Sequence, residues 1–300
     1  MRRGIFQGAF PVGLGLSDCF RQARAAGFEG VELSLETSDA LMPEAVNETT
    51  QATRDIEQSV GLNVPRPGGL RLTSSLNDIR LIRRQAEDAG LVIPSVSTMQ
   101  LFYYPLSSPV RVVRDRAVEI VRKMIQATAE LGGDLILVVP GMVTRDVPYQ
   151  DVWKRSVETL ATLVPDAEEA GVTLAIENVW NKFLLSPIEY RDYIDSFRSA
   201  RVGAYFDVAN VLRYGNPDQW IDFLGLRVKR VHFKDYRLDV DDIRGFTYLM
   251  QGDVPWSAVV QTLRRVGYSG WAMVEVSPYR VHPEQALIDS ARALDRLLAE

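Results

Sequence analysis

The chain has 300 residues, of which 46% are hydrophobic, and its formal net charge is −5. That length suits one barrel domain, and the acidic balance argues against a nucleic-acid-binding protein. The single cysteine, Cys19, cannot form an internal disulfide, and we find neither a hydrophobic N-terminal stretch nor a run of about 20 apolar residues, so we expect a cytoplasmic protein without a signal peptide or membrane span.

Short apolar runs recur along the whole chain. They predict eight strands, over residues 4–10, 30–35, 92–98, 134–139, 172–178, 202–208, 228–234 and 271–276. Several runs are apolar at almost every position, which is typical of strands buried on both faces of a parallel sheet.

Amphipathic segments lie between these runs. They predict helices over residues 17–26, 77–89, 111–131, 152–170, 187–197, 257–266 and 283–298. Glycine directly follows many of these segments, as expected of a helix C-terminus. The polar stretch 36–69 predicts a longer excursion that carries a helix and a mobile loop near the site.

Eight strand–helix units of about 37 residues each (300/8) predict an α/β fold, a (β/α)8 TIM barrel. We expect it to form a single domain over residues 1–300. An open doubly wound sheet is the alternative. The first strand lacks the glycine-rich phosphate turn of a dinucleotide-binding fold, which disfavours that alternative.

Acidic or imidazole side chains end the apolar runs of the last four predicted strands. They are Glu177, Asp207, His232 and Glu275. In a barrel of this kind, the carboxyl ends of the strands share one face, so we expect these groups to meet there. Alone, each is more often a helix cap, an ion-pair partner or a core group. Together they would repel one another without a cation, and they suit one divalent metal, Mn²⁺ first, with Mg²⁺, Co²⁺ or Zn²⁺ as alternatives.

The sequences around these groups resemble the xylose-isomerase-like TIM-barrel superfamily of sugar phosphate isomerases and epimerases. The nearest branch is that of the L-ribulose/L-xylulose 5-phosphate 3-epimerases. The motifs that carry the resemblance are Leu174-Ala175-Ile176-Glu177-Asn178, Phe206-Asp207-Val208-Ala209-Asn210, Val231-His232-Phe233-Lys234-Asp235, Gly267-Tyr268-Ser269-Gly270-Trp271 and Val274-Glu275, with Gly4-Ile5-Phe6-Gln7-Gly8-Ala9-Phe10-Pro11 and Ile93-Pro94-Ser95-Val96 echoing the branch.

The resemblance implies that all four residues bind the metal and that Glu177 and Glu275 also exchange protons with substrate. Inverting a carbon beside a ketose carbonyl requires removing a proton through an enediolate, which a metal stabilises as a Lewis acid. Carboxylates on opposite faces would remove and return that proton. We therefore expect a metal-dependent ketose or ketose-phosphate 3-epimerase.

Residues that follow the strands are candidates for substrate contact. They are Arg237, Asn178, Asn210, Lys182, Trp180 and Phe6. We expect Lys234 and Asp235 to pair with each other or to orient His232, and we expect His282 to start the last helix.

Two positions depart from the free-ketose 3-epimerases of this superfamily. Asn210 stands where they usually have a histidine, and Phe183 stands where they usually have a glutamate. Both family residues help hold the free sugar, so the departures favour a phosphorylated substrate. A phosphate needs cationic or amide donors. The available cations are Lys182, Arg145, Arg237 and Arg280.

Other functions remain open on the same machinery. A metal-dependent lyase or dehydratase would abstract the same proton from an inosose or a 3-keto-glycoside and then lose a β-substituent.

Abasic-site nucleases of this barrel need a histidine-rich multi-zinc cluster, whereas this chain has two histidines and a net negative charge. Two-metal aldose isomerases also need more ligands. A non-catalytic sugar-binding relative would lack a ligand glutamate, yet both are present. The resemblance implies a homodimer or homotetramer.

Overall fold

Eight parallel strands close into a barrel in this computed structural model, which describes residues 1–37, 40–46, 50 and 65–299. The barrel strands are β1 (Arg2–Phe6), β2 (Gly30–Ser34), β3 (Ser95–Ser97), β4 (Leu135–Val138), β5 (Thr173–Glu177), β6 (Val202–Asp207), β7 (Val228–Phe233) and β10 (Trp271–Val274). Their order around the barrel is β1-β10-β7-β6-β5-β4-β3-β2, and β1 closes it by pairing with both β10 and β2. The predicted TIM barrel is therefore confirmed.

Helices surround the barrel. The α-helices are Leu16–Ala26, Leu76–Asp88, Gln100–Tyr103, Arg111–Leu131, Tyr149–Ala161, Val164–Ala170, Pro187–Ser196, Pro217–Leu224, Trp256–Arg265 and Pro283–Ala299. Short 3-10 helices are Gln7–Ala9, Pro43–Ala45, Gly225–Arg227 and Ile243–Gly245. Among the residues described, no helix is both long enough and apolar enough to cross a membrane.

The apolar runs became buried strands because helices cover the outside of the sheet while side chains fill its interior. Every residue of β2, β4, β5, β6 and β10 is buried. Glycine ends several helices where the chain turns back into the sheet, as the sequence predicted. Gly27 and Gly132 end their helices with φ of 102° and 79°, a left-handed conformation that glycine adopts without strain.

Several predicted boundaries were wrong, and two of them have a local cause in the structure. The first strand ends at Phe6, because Gln7–Ala9 turn into a 3-10 helix. The guanidinium of Arg66, which is 5% exposed, donates to the carbonyl oxygens of Gln7 at 3.0 Å and Phe10 at 2.8 Å. Those bonds satisfy carbonyl groups that a longer strand would have paired with its neighbours.

The helix predicted over residues 152–170 is also two helices. It breaks at Thr162 and Leu163, and Pro165 lies in the first turn of the second helix. Proline has no N–H to bond the preceding turn, so it favours a new helix start over continuation.

Besides the short 3-10 helices, sequence patterning missed two α-helices and one hairpin among the described residues. These are the helices Gln100–Tyr103 and Pro217–Leu224, and an antiparallel hairpin of β8 (Asp235–Tyr236) and β9 (Phe246–Thr247). Much of the predicted helix and loop in stretch 36–69 lies outside the described residues. In the described part, Arg66 is buried and hydrogen-bonded.

Candidate metal centre

The four predicted ligand residues come together at the carboxyl ends of adjacent strands. Glu177 ends β5, Asp207 ends β6, His232 lies one residue before the end of β7, and Glu275 directly follows β10. The register pairs Asp207 with His232 and His232 with Met273. One ligand atom from each of the four residues lies within 4.8 Å of the others. Such an arrangement can hold a single cation.

His232 lies at the centre of this cluster. Its Nδ1 is 3.1 Å from Glu177 Oε1, 3.5 Å from Glu275 Oε2 and 3.9 Å from Asp207 Oδ2. Its Nε2 faces the opposite way and lies 3.1 Å from Oε1 of Glu32, a fully buried residue of β2. The imidazole therefore presents one nitrogen to the cluster and the other to Glu32.

Burial and crowding shift the pKa values of the cluster. Burial raises the pKa of Glu177 to about 7, and the neighbouring carboxylates of Glu275 and Asp207 add to the rise, although His232 opposes it. Burial raises the pKa of Asp207 too, against the effect of Lys234. Burial alone would lower the pKa of His232, but Glu275, Glu32 and Glu177 outweigh it and raise that pKa well above its usual value. Burial therefore favours the protonated form of Glu177, and the surrounding carboxylates favour the protonated form of His232.

Lys234 compensates part of this charge. Its Nζ lies 2.6 Å from Glu275 Oε2 and 2.9 Å from Asp207 Oδ2. Burial would raise the pKa of Glu275, but Lys234 and His232 outweigh it and lower that pKa to about 2. The predicted pairing of Lys234 with Asp235 was therefore wrong. Asp235 instead accepts from the indole N–H of Trp256 at 2.8 Å, because consecutive residues of an extended chain face opposite sides.

The donor set fits a divalent cation. Three carboxylates surround one imidazole nitrogen, and oxygen-rich sites of this kind suit Mn²⁺ or Mg²⁺ while the imidazole also suits Zn²⁺. Asp207 is fully buried, and its Oδ2 has the Lys234 ammonium as its charged partner at 2.9 Å. One ammonium faces three carboxylates here, so a divalent cation would supply the positive charge that the buried cluster lacks.

Hydrogen bonds from Asn178 and Asn210 hold the end of β6, where Asp207 lies, in a fixed position. The amide of Asn178 donates to the Asp207 carbonyl at 2.8 Å and accepts from the Asp207 N–H at 2.9 Å. Asn210 donates its side-chain amide to the Asn178 carbonyl, and its backbone N–H donates to Asp207 Oδ1. Asn178 and Asn210, which were predicted to contact the substrate, therefore use their side-chain amides to position Asp207, a predicted metal ligand.

Aromatic side chains lie beside the cluster. The ring of Phe6 is 6.4 Å from the His232 ring. The Phe246 ring centroid lies 4.4 Å from the Lys234 ammonium and 4.8 Å from the Trp180 ring centroid. Phe246, on the hairpin β8–β9, and Trp180 thus form an aromatic wall beside Lys234, the Trp180–Phe246 wall. Both predicted aromatic residues thus lie near the barrel mouth. Phe246 was not predicted.

The predicted cationic contacts lie at the surface. Arg237 pairs with Asp239 at 2.8 Å and its side chain is 51% exposed, so the structure does not bring it to the cluster. Lys182, Arg145 and Arg280 are exposed. Phosphate contact by these residues stays a prediction.

Phe183 belongs to the protein core rather than to the mouth. It is 1% exposed, and its ring packs 5.0 Å from Tyr149, 6.0 Å from Trp153 and 5.6 Å from Tyr193. This position, at which the sequence resemblance implied a glutamate in free-ketose 3-epimerases, therefore contributes packing here.

Sequence reasoning missed Glu32. It contacts the cluster histidine although 200 residues separate the two. One signal could have found it, because Glu32 interrupts the apolar run Val31-Glu32-Leu33, and a carboxylate inside a buried strand needs a partner.

Comparison with known proteins supplies an independent line of evidence. Residues 20–297 match the family model described as Xylose isomerase-like TIM barrel. The chain is 23% identical to the putative L-ribulose-5-phosphate 3-epimerase SgbU of Escherichia coli (strain K12), over 99% of this chain and 96% of that protein. It is 25% identical to the L-ribulose-5-phosphate 3-epimerase UlaE of Escherichia coli (strain SE11), over 96% and 92%. An uncharacterized protein of Methanocaldococcus jannaschii is 24% identical over 54% of this chain and 57% of its own length.

Solved structures share the fold. The structure of an L-ribulose 3-epimerase superposes with a TM-score of 0.74 at 18% identity, over 99% of this chain and 94% of that chain. The IOLI protein with a bound zinc atom superposes with a TM-score of 0.73 at 14% identity, over 100% and 98%. At these identities the likeness concerns the arrangement of the barrel alone.

Proposed function

Because this chain belongs to the xylose isomerase-like TIM-barrel family, we propose that it is a divalent-metal-dependent sugar 3-epimerase acting on a ketose or ketose phosphate. The family resemblance of its strand-end motifs is confirmed by that match. The observation that carries the proposal is the cluster of Glu177, Asp207, His232 and Glu275, whose ligand atoms lie within 4.8 Å of one another. Such a set combines a cation site with two glutamates able to move protons.

The chemistry assigns a role to each residue. Asp207 and His232 would hold the cation. Glu177 and Glu275 would also hold it, and each would exchange a proton with the carbon beside the substrate carbonyl, one removing it and the other returning it. When bound, the cation supplies Lewis acidity that polarises the carbonyl and stabilises the enediolate charge. Phe6 and the Trp180–Phe246 wall would exclude water from the reacting carbon.

A phosphorylated ketose is the substrate class we favour. The curated relatives SgbU and UlaE are both named for a ketose 5-phosphate. Asn210 uses its amide to brace Asn178 instead of facing a free sugar as a histidine would. Phe183 is part of the core. These observations support a substrate held at its far end by a phosphate, with exposed Lys182 as a candidate donor.

A deuterium experiment tests the reaction. Manganese-loaded protein is incubated in deuterated water with ketoses, ketose 5-phosphates, inososes and 3-keto-glycosides, and products are read by NMR. Deuterium at carbon three with an inverted centre supports the epimerase. An unsaturated or cleaved product moves the assignment to a lyase or dehydratase on the same site. Absence of both deuterium incorporation and new product across the panel contradicts the proposal.

We favour Mn²⁺ because the donors are three carboxylates and one imidazole, with Mg²⁺, Co²⁺ and Zn²⁺ as alternatives. A cytoplasmic location, a homodimeric or homotetrameric assembly, and one domain over residues 1–300 stay predictions. Size-exclusion chromatography with light scattering would test the assembly.

A further inference from the structure

We propose that Glu32 is a positioning residue for the metal site, fixing His232 so that its Nδ1 faces the cation. This inference rests on the proposed function, because it assumes that His232 is a metal ligand. It begins from the contact between His232 Nε2 and Glu32 Oε1 at 3.1 Å. Glu32 itself does not belong to the cluster of four ligands.

Glu32 is held in place by two further donors. The hydroxyl of Tyr205 donates to Glu32 Oε2 at 2.7 Å, and the hydroxyl of Ser95 donates to the same oxygen at 2.5 Å. All three residues are completely buried. A carboxylate with no solvent exposure and hydrogen bonds on both oxygens has little freedom to move, so its acceptor toward His232 points in a fixed direction.

Strand geometry explains how four distant residues meet. Glu32 lies on β2, Ser95 on β3, Tyr205 on β6 and His232 on β7. Glu32 precedes Leu33, and Ser95 precedes Val96, the residue paired with Leu33 in the register. Tyr205 and His232 contact β2 across the barrel, so all four side chains point into its interior. These four side chains form a hydrogen-bonded polar layer inside the barrel, which His232 connects to the ligand cluster at the strand ends.

The chemical consequence concerns which nitrogen is available to a metal. A carboxylate that accepts from Nε2 keeps the proton on that nitrogen, which leaves the Nδ1 lone pair for ligation. Nδ1 is also the nitrogen that lies 3.1 Å from Glu177. The hydrogen bond fixes the ring orientation as well, and partners of this kind typically change metal affinity by about 10- to 100-fold.

The test measures metal affinity in Glu32→Gln, which keeps the side-chain size and one acceptor but removes the charge. We expect Mn²⁺ to bind about 10- to 100-fold more weakly by calorimetry, with a native circular dichroism spectrum. Glu36→Gln is the matched control, because Glu36 is also a buried carboxylate but bonds Gln7 and Arg66 instead of a histidine. Wild-type affinity in Glu32→Gln would overturn the inference.

A spectroscopic readout separates positioning from a merely structural role. The sequence has two histidines, and His282 is highly exposed, so a His282→Gln background leaves His232 as the one imidazole signal. In zinc-loaded protein, ¹⁵N NMR should find Nδ1 bound and a protonated Nε2 in slow exchange. Zinc on Nε2 would contradict the inference. Loss of thermal stability with unchanged Mn²⁺ affinity would do the same, since it indicates packing alone.

Other variants keep the inference testable if Glu32→Gln does not fold. Tyr205→Phe removes one donor to Glu32, and Ser95→Ala removes the other. Each should weaken Mn²⁺ binding by several-fold, and unchanged affinity in both would contradict the inference. If wild-type protein binds no divalent metal, the proposed function fails together with this inference. If wild type binds metal and the variants bind equally well, the inference fails alone.

Discussion

The ammonium of Lys234 lies 2.6 Å from Oε2 of Glu275. Burial would raise the pKa of Glu275, but Lys234 and His232 outweigh it and lower that pKa to about 2, whereas burial raises the pKa of Glu177 to about 7. In the metal-free protein, the two carboxylates of one site therefore lose their protons in different pH ranges. Unequal environments of this kind distinguish acid from base partners in proton-transfer enzymes.

Removing the lysine charge should destabilise the metal-free protein. Lys234→Met leaves Asp207 and Glu275 without their counterion, and breaking a buried pair costs about 3–5 kcal/mol. We expect Tm to fall by roughly 5–10 °C and added Mn²⁺ to raise Tm more than in wild type, as measured by scanning calorimetry. Lys229→Met, at an exposed position of β7, serves as the control. Equal Mn²⁺-induced shifts in both variants would contradict the charge-compensation argument.

Glu275→Gln should remove proton transfer while preserving the fold. The amide is nearly the same size as the carboxyl group but cannot act as a base. We expect kcat to fall by about 10²- to 10⁴-fold, measured by deuterium exchange at the substrate carbon once the substrate is known. Glu284→Gln, in the exposed first turn of the last helix, is the control. Near-normal turnover would remove Glu275 from this role.

His232→Ala should abolish tight metal binding. The substitution removes the nitrogen at the centre of the cluster and leaves Glu32 without its partner. After dialysis, we expect metal content measured by plasma spectrometry to drop from about one ion per chain to a small fraction. His282→Ala is the matched control, because that imidazole is 79% exposed. Equal metal content in the two variants would refute ligation by His232.

Metal affinity should depend on pH. Glu177 has a pKa of about 7 in the metal-free protein, so below pH 7 it must lose a proton to bind a cation. The pKa of His232 is raised as well, by Glu275, Glu32 and Glu177, so a proton that it holds must also leave before Nδ1 can bind a metal. We therefore expect close to one more proton to be released per metal at pH 6 than at pH 8, the proton of Glu177, with affinity falling as pH falls. Calorimetry in buffers of different ionisation enthalpy counts these protons.

Glu177 should account for the change in proton release between pH 6 and pH 8. In Glu177→Gln the proton count should no longer change between pH 6 and pH 8. A wild-type count that is the same at both pH values would show that Glu177 carries no proton near neutrality.

Cys19 should be chemically inert in the folded protein. It is completely buried, and burial raises the pKa of its thiol to about 11. Thiolate is the reactive form, so we expect negligible labelling by a disulfide reagent at pH 8 and one thiol per chain after unfolding. Gln126→Cys, at an exposed helical position, should add one rapidly labelled thiol. Fast labelling of native wild type would indicate an open Cys19 environment.

The sequence alone determined the barrel and the residues at its mouth. Strands and helices follow from local periodicity, so eight apolar runs predicted eight barrel strands, and Arg111–Leu131 was predicted with the bounds it has. The groups at the ends of β5, β6, β7 and β10 were predicted as a set for the same reason, since consecutive parallel strands end at one face. Short elements such as the hairpin β8–β9 lack enough residues to leave a periodic signal.

Only the tertiary structure decided the contacts within the site. Lys234 was predicted beside Asp235, its neighbour in sequence, yet it reaches Asp207 and Glu275 on two other strands. Glu32 meets His232 because closure of the barrel brings β2 and β7 to the same interior. A residue's own neighbours do not fix such contacts, since they depend on which side chains point inward at the same height in the closed barrel.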